Sequence, residues 1–321
     1  MSAALKFPHP FESAGLLGMN NRNATYMLKH NQRKFYPTVD DKLKTKVLLD
    51  AHQLPTPEIY FSITHNYELK LLREIKFLKE FVVKPARGAE GRGILVIVDR
   101  VGNDWIRSNG DRITREDLEY HVANILAGLY SLGGVDDNAF IEYFIRSHAC
   151  FKNVAFQGAP DIRVVIYRGV PVMCMLRLPT RESGGRANLH QGAVGAGVRI
   201  ESGITTGGVH HNRLIEKHPD TQTVIGGLQI PFWSDILEIA TRVYDVFKLG
   251  YIGVDFVVDH ILGPLILELN ARPGLNIQLA NRRGLLPVLK AVDAHGPVVE
   301  SLPWERRLEL SRAIAVLPAT Q

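Results

Sequence analysis

Asp255 and Glu268 stand in two apolar runs, G-V-D-F-V-V-D and L-I-L-E-L-N-A-R-P-G, joined through a turn that holds Gly263 and Pro264. With His260 to Gly263 as the loop, Asp259 and Pro264 close it, and counting back sets Asp255 directly opposite Glu268. Opposed residues on antiparallel strands project from one face, with Cβ atoms ~4.5–5.5 Å apart. Asn270, two residues beyond Glu268, alternates back to that face. Two ionised carboxylates so placed repel, and a divalent cation removes the conflict. Hard oxygen donors of this kind suit Mg²⁺, which takes one or two carboxylates and shares its other positions with phosphates and water. A one-residue slip of register would part the three groups.

A second constellation is the glycine-rich connection in F-V-V-K-P-A-R-G-A-E-G-R-G-I-L-V-I. Gly88, Gly91 and Gly93 permit a tight turn and close backbone approach, so that amide N–H groups can surround phosphate oxygens. Lys84, at the end of the incoming run, brings an ammonium beside them. The order G-x-x-G-x-G is neither the G-x-x-x-x-G-K-[ST] loop nor the dinucleotide G-x-G-x-x-G, and a strand-like run follows where both need a helix. Many glycine-rich hairpins are plain turns; Lys84 is what favours the phosphate reading.

Other reactive residue types carry less. His210 and His211, with His218 nearby, lack a third ligand at productive spacing and read as loop histidines. G-A-V-G-A-G at 192–197 echoes a phosphate loop but follows no lysine-ended strand, so it reads as a flexible strand edge. Asp161 and Glu182 read better as solvated or ion-paired groups than as acid/base catalysts, and Ser183 lacks the G-x-S-x-G context of a nucleophile. Without a C-x-x-C pair, Cys150 and Cys174 exclude zinc ribbons and thioredoxin-like chemistry, and a reducing compartment fits.

The elements that must position these groups are legible in outline. The first forty residues are irregular or weakly helical; a helix starts near residue 41 and ends before L-P-T-P, where each Pro biases its predecessor toward extended backbone. A second helix falls near 66–76, buried strands at 81–83 and 94–98, and a long helix over 114–132 behind an imperfect capping box of Thr114 and Asp117. A strand at 139–144, a hairpin over 162–176, a helix over 233–247, the two carboxylate-bearing strands and a polar tail complete the chain. Strands and helices followed by antiparallel pairs indicate a mixed α/β or α+β architecture.

The 321 residues exceed the ~100–150 of a typical domain, which makes two lobes the natural division. A net charge of +5 with no long Lys/Arg block or basic–aromatic stripe gives no reason to expect nucleic acid. Residues 1–18 show no signal peptide, and no apolar run approaches the ~18 residues of a membrane span. A soluble cytoplasmic protein without a membrane partner is expected.

Together these motifs resemble those of the ATP-grasp superfamily over residues 41–284. D-D-K-L-K-T-K followed by L-P-T-P is similar to the entry of its first nucleotide-binding lobe, V-V-K-P with the glycine loop to its phosphate-covering flap, and the carboxylate runs to its metal-binding strands. D-I-R-V-V-I-Y-R-G-V-P-V and L-P-T-R-E-S-G-G-R-A-N-L-H-Q-G-A-V-G resemble the alpha-L-glutamate ligase-like proteins, kin of the enzymes that add glutamate to a ribosomal protein's C-terminus. The resemblance implies an α+β (mixed α/β) ATP-grasp fold with two α+β lobes clasping ATP. Residues 1–40 would be a reduced N-terminal region, 41–136 the first lobe with the flap, and 137–321 the C-terminal lobe with the metal site.

The same resemblance implies roles. Lys42 and Lys84 match lysines on the ATP phosphates, Gly88, Gly91 and Gly93 the flap, and Glu142, Tyr143 and Phe144 the segment that reads adenine. Asp255, Glu268 and Asn270 match ligands of Mg²⁺, with Mn²⁺ as the alternative ion. Arg177 matches an arginine that stabilises a phosphorylated intermediate, so Arg177 and Lys84 are the catalytic candidates, while Arg163, Arg186, Asn188 and His190 fall in blocks lining the acceptor side. The implied activity joins a carboxylate to an amine of an amino acid or peptide through an acylphosphate, with glutamate one candidate; relatives commonly form homo-oligomers. Removing Asp255 or Glu268 is then expected nearly to abolish turnover and leave the fold intact. A nucleotide-binding regulatory module and a phosphotransferase acting on a hydroxyl are the alternatives. Two departures stand out: relatives carry a full N-terminal domain where this chain has residues 1–40, and many have Arg where Gly253 stands.

Overall fold

The computed structural model describes residues 14–88, 91–131 and 133–316. Ala89 and Glu90 of the glycine loop and Leu132 of the expected long helix lie outside the described residues. The chain forms two compact units, a smaller one of Asp40–Ala51 and Thr56–Arg146, and a larger one of Met1–Val39, His52–Pro55 and Ser147–Gln321.

The smaller unit holds six strands: β1 (Ile59–Ile63), β2 (Phe81–Pro85), β3 (Leu95–Val101), β4 (Asp104–Arg107), β5 (Arg112–Ile113) and β6 (Ala139–Glu142). They pair antiparallel in the order β1-β6-β2-β3-β4-β5. Helices α1 (Lys42–Ala51) and α2 (Arg115–Leu126) belong to this unit, and the segment expected to be helical near 66–76 forms a 3₁₀ helix, Asn66–Phe77. Leu118, Val122 and Ile125 recur at helical spacing, so one stripe of α2 packs with Phe81, Val83, Ile97 and Trp105 in a single core. The capping box of Thr114 and Asp117 is complete, each side chain taking the other's backbone N–H. α2 stops at Leu126 rather than near 132 because Gly128 turns to φ +77°, where a Cβ would stand 2.3 Å from the Val135 carbonyl oxygen. β6 pairs with β1 and β2, so this unit continues to Arg146 where the sequence suggested an end at 136.

The larger unit has seven strands: β7 (Asp161–Tyr167), β8 (Val170–Leu178), β9 (Val194–Val198), β10 (Thr205–His210), β11 (Arg213–Ile215), β12 (Tyr251–Asp259) and β13 (Gly263–Asn270). Their order is β11-β10-β9-β8-β7-β12-β13, antiparallel throughout. Helices α3 (Trp233–Phe247), α4 (Leu286–Asp293) and α5 (Trp304–Ala315) accompany it. The tail that read as polar is therefore largely helical: Leu286, Leu289, Val292 and Ile314 bury into a core with Tyr167, Met173, Met175 and Tyr251. The glycine run expected to be a flexible edge is β9, buried between β8 and β10. Residues 14–39 dock on this unit and do not stand apart. The Asn31 amide exchanges two 2.8 Å hydrogen bonds with the Tyr251 backbone, and Gln278 does the same with Leu17 at 2.8 and 3.0 Å. No described helix is long and apolar enough to cross a membrane.

Candidate functional site

β12 and β13 set Asp255 opposite Glu268 and Gly253 opposite Asn270. The turn is one residue tighter than the sequence suggested, since Asp259 pairs with Gly263 and Val258 with Pro264. A bulge at Leu267, between the pairs Phe256–Ile266 and Asp255–Glu268, absorbs the difference. The carboxylates meet through two compensating departures from a regular ladder.

Asp255 is completely buried, and it is already neutralised. β7 places Arg163 opposite it, and β8 places Arg177 opposite Asp161. Arg163 grips Asp255 bidentately, Nε to Oδ1 at 2.7 Å and Nη2 to Oδ2 at 2.5 Å, and Arg177 Nη2 adds a third bond to Oδ2 at 2.7 Å. Arg177 also grips Asp161 bidentately. Two guanidiniums and two carboxylates thus form a closed, charge-balanced cluster within the sheet. Burial pushes the Asp255 pKa up, but Arg163 and Arg177 outweigh it and hold the carboxyl below its ordinary range. For Asp161 burial prevails over Arg177, with Asp255 adding to the rise. The neutralisation that the sequence reading gave to a cation is supplied by arginines. Gly253 leaves little space for one: a Cβ there would lie 3.0 Å from the Pro273 side chain, which would have to give by a few tenths of an ångström.

The donor set still fits a hard cation. About four lone-pair sites exist on a carboxylate, and Asp255 has three engaged. Glu268 is half-buried and its carboxylate accepts no hydrogen bond among the described residues. Asn270 Oδ1 accepts from Arg272 N at 2.8 Å. Glu268 is therefore the free donor, and Asp255 is mainly a brace beside it.

The smaller unit carries its own cluster. Glu142, completely buried on β6, takes an ion pair from Lys84 and another from Lys46 Nζ at 2.8 Å. Lys46 is further fixed by Thr56 Oγ1 at 2.9 Å and the Pro57 carbonyl at 2.8 Å. Burial raises the Glu142 pKa, yet Lys84 and Lys46 overcome it and leave it lowered. Burial also lowers the Lys46 pKa, against the pull of Glu142. Two ammoniums on one carboxylate leave a net positive charge. Lys42 lies elsewhere, its Nζ donating to the Gly88 carbonyl at 2.5 Å. The Tyr143 N–H is committed to the Glu58 carbonyl at 2.9 Å. Gly91 and Gly93 both adopt φ +74°, and a Cβ on Gly93 would strike the Tyr130 ring at 2.6 Å, so the loop needs glycine there.

Of the acceptor-side candidates, Arg163 belongs to the buried cluster, while Arg186, Asn188 and His190 share the β8–β9 connection, where Asn188 Oδ1 accepts from His190 N at 3.0 Å. Sequence reasoning missed Lys46 as a site residue, and it read Asp161 as solvated or ion-paired without naming Arg177 as the partner that the structure gives it. Lys46 follows Lys42 by one helical turn, and Asp161 precedes Arg163 by one pleat, so the spacings were present in D-D-K-L-K-T-K and D-I-R.

A family model described as sugar-transfer associated ATP-grasp matches residues 21–294. No curated protein matches the chain. Among solved structures, the ATP-grasp ligase PsnB complexed with minimal precursor is 13% identical at a TM-score of 0.45, the match covering 83% of this chain and 62% of that one. D-cycloserine synthetase DcsG is 15% identical at 0.46, covering 81% and 71%, and D-alanine–D-alanine ligase from Bacillus anthracis is 16% identical at 0.42, covering 88% and 68%.

Proposed function

Because the chain belongs to the sugar-transfer associated ATP-grasp family, we propose that it is an ATP- and Mg²⁺-dependent ligase that joins a carboxylate to an amine through an acylphosphate. The observation that carries this reading is Glu268, a free carboxylate set opposite the arginine-braced Asp255. A carboxylate and an ammonium do not condense unaided in water. Transfer of the γ-phosphoryl group of ATP to the carboxylate oxygen, releasing ADP, gives a mixed anhydride; the amine attacks its carbonyl carbon and phosphate leaves. That chemistry asks for positioning and charge stabilisation and for no protein nucleophile.

Each residue then has a task. Lys84, with Lys46 and Glu142 fixing it, offers positive charge to phosphate oxygens. Gly88, Gly91 and Gly93 allow backbone N–H groups to approach them. Glu268, with Asn270 and the remaining lone pair of Asp255, would hold Mg²⁺, which when bound draws charge from the phosphates. Arg177 has both Nε and Nη2 committed to Asp161 and Asp255, and its Nη1 remains to donate to the acyl phosphate. Substrates are amino acids or peptides, with glutamate one candidate. The test is ADP release over such acceptors with and without hydroxylamine. An acylphosphate yields a hydroxamate; ADP accumulating with no hydroxamate would move the reading to a hydroxyl phosphotransferase, and no ADP at all to a regulatory module.

A further inference from the structure

The histidine pair at 210–211 acquires in the fold the third ligand that its sequence lacks. Glu182 lies on the β8–β9 connection, His210 ends β10 and His211 opens the β10–β11 turn, and one ligand atom from each falls within 4.8 Å of the others. Glu182 Oε2 is 2.9 Å from His211 Nε2 and 3.5 Å from His210 Nε2. From these contacts we infer that Glu182, His210 and His211 bind a divalent cation of the zinc class, through two imidazole nitrogens and one carboxylate oxygen.

Both halves of the site are built to converge. His211 and Asn212 occupy a two-residue turn with φ +48° and +61°, closed by the pair His210–Arg213. Side-chain residues rarely adopt that backbone, which Asn-Gly normally supplies in such turns. Successive strand residues point to opposite faces, whereas here the turn brings the two imidazole centroids to 4.2 Å. On the other side, Thr180 and Ser183 lock the turn carrying Glu182 by exchanging hydrogen bonds of 2.9 and 3.0 Å. Gly192, at φ +95°, leaves a recess for the Glu182 carboxyl; a Cβ there would lie 2.8 Å from its carbon.

The spacing suits zinc. Bonds of about 2.0–2.1 Å at tetrahedral angles put ligand atoms roughly 3.3 Å apart. The His210–Glu182 separation is near that value already, and the His211–Glu182 contact needs to open by a few tenths of an ångström. His210 Nε2 also faces the Gly192 carbonyl at 3.0 Å, so metal binding releases that ring proton to solvent and turns the imidazole away from the carbonyl toward Glu182. His218 is not a ligand: its Nε2 lies 3.0 Å from the Pro179 carbonyl, and its Nδ1 takes the Asp220 and Thr221 N–H groups. With three protein donors the fourth position stays open, and the bound ion would tie the connection carrying Arg186, Asn188 and His190 to the β10–β11 hairpin.

Equilibrium dialysis of the full chain against Zn²⁺ tests this, with excess Mg²⁺ present to fill hard-oxygen sites, which compete poorly for imidazole-selecting ions. We expect about one retained Zn²⁺ per chain, weakened at least ~tenfold by Glu182→Gln and by His211→Asn with unchanged circular dichroism. Both positions are exposed, so neither substitution should unfold the chain. Absence of saturable Zn²⁺ retention, or retention that both variants preserve, overturns the site whether or not the ligase reading stands.

Discussion

Asp255 and Glu268 share one register position, yet their surroundings separate their roles. Glu268 is half-buried and free, so Glu268→Gln should reduce ADP formation by at least ~100-fold while moving stability by no more than ~0.5 kcal/mol. Asp255 is different: Asp255→Asn leaves two buried guanidiniums facing one carboxylate and should cost about 3–5 kcal/mol in urea denaturation. The expectation that either substitution spares the fold is therefore kept for Glu268 and revised for Asp255. Glu142 supplies the pH test. Its pKa is lowered from 4.5 by Lys84 and Lys46 acting against burial. A carboxyl whose folded pKa lies below its unfolded one contributes stability in full above the unfolded value and loses it as pH falls through the folded one. The urea midpoint should therefore drop as pH is lowered below 4.5, and Glu142→Gln should flatten that limb. An unchanged slope would mean that the lysines do not hold the carboxylate.

At the scale of the element, β9 makes the strongest claim. Gly197→Ala would set a Cβ 2.6 Å from the Ala280 carbonyl oxygen and 2.7 Å from Thr206 Oγ1, both close enough to force a shift. The substitution should cost about 1–3 kcal/mol, whereas Gly18→Ala, with nothing within 4 Å, should be close to neutral in the same denaturation series. This contrast also explains what could be read in advance. The hairpin bearing Asp255 and Glu268, the capping box at Thr114 and the apolar stripe of α3 are local patterns, and local patterns are visible in sequence. The glycines of β9 answer to a helix more than eighty residues later, Ile277–Asn281, so in isolation they resembled a flexible edge. α4 and α5 were hidden differently: α5 is rich in charge, and its Arg307 is buried against Asp245 and the Tyr244 ring, a partnership that no linear pattern announces. The same holds for Glu182 with His210 and His211, and for Lys46 with Glu142 and Lys84.

For the whole molecule, the decisive feature is that two hydrophobic clusters among its described residues, one in each compact unit, share no residue. One gathers around Phe81, Trp105, Leu118 and Ile141, the other around Tyr167, Met175, Tyr251 and Leu289. The sequence allowed two lobes from length alone, but it placed the division at 136 because β6 has no local sign of the sheet it joins; only its pairing with β1 and β2 assigns it. Separate cores imply that a local lesion is felt locally. Leu118→Ala removes a fully buried side chain from the smaller core and should cost about 2–5 kcal/mol. Asp255→Asn strikes the larger unit instead. In scanning calorimetry each should lower a different transition, and the double substitution should show the two losses adding, as expected for sites without shared partners. If both single substitutions instead displaced one common transition by similar amounts, the chain would unfold as a single cooperative block, and the stability cost of Asp255→Asn would have to be charged to every element at once.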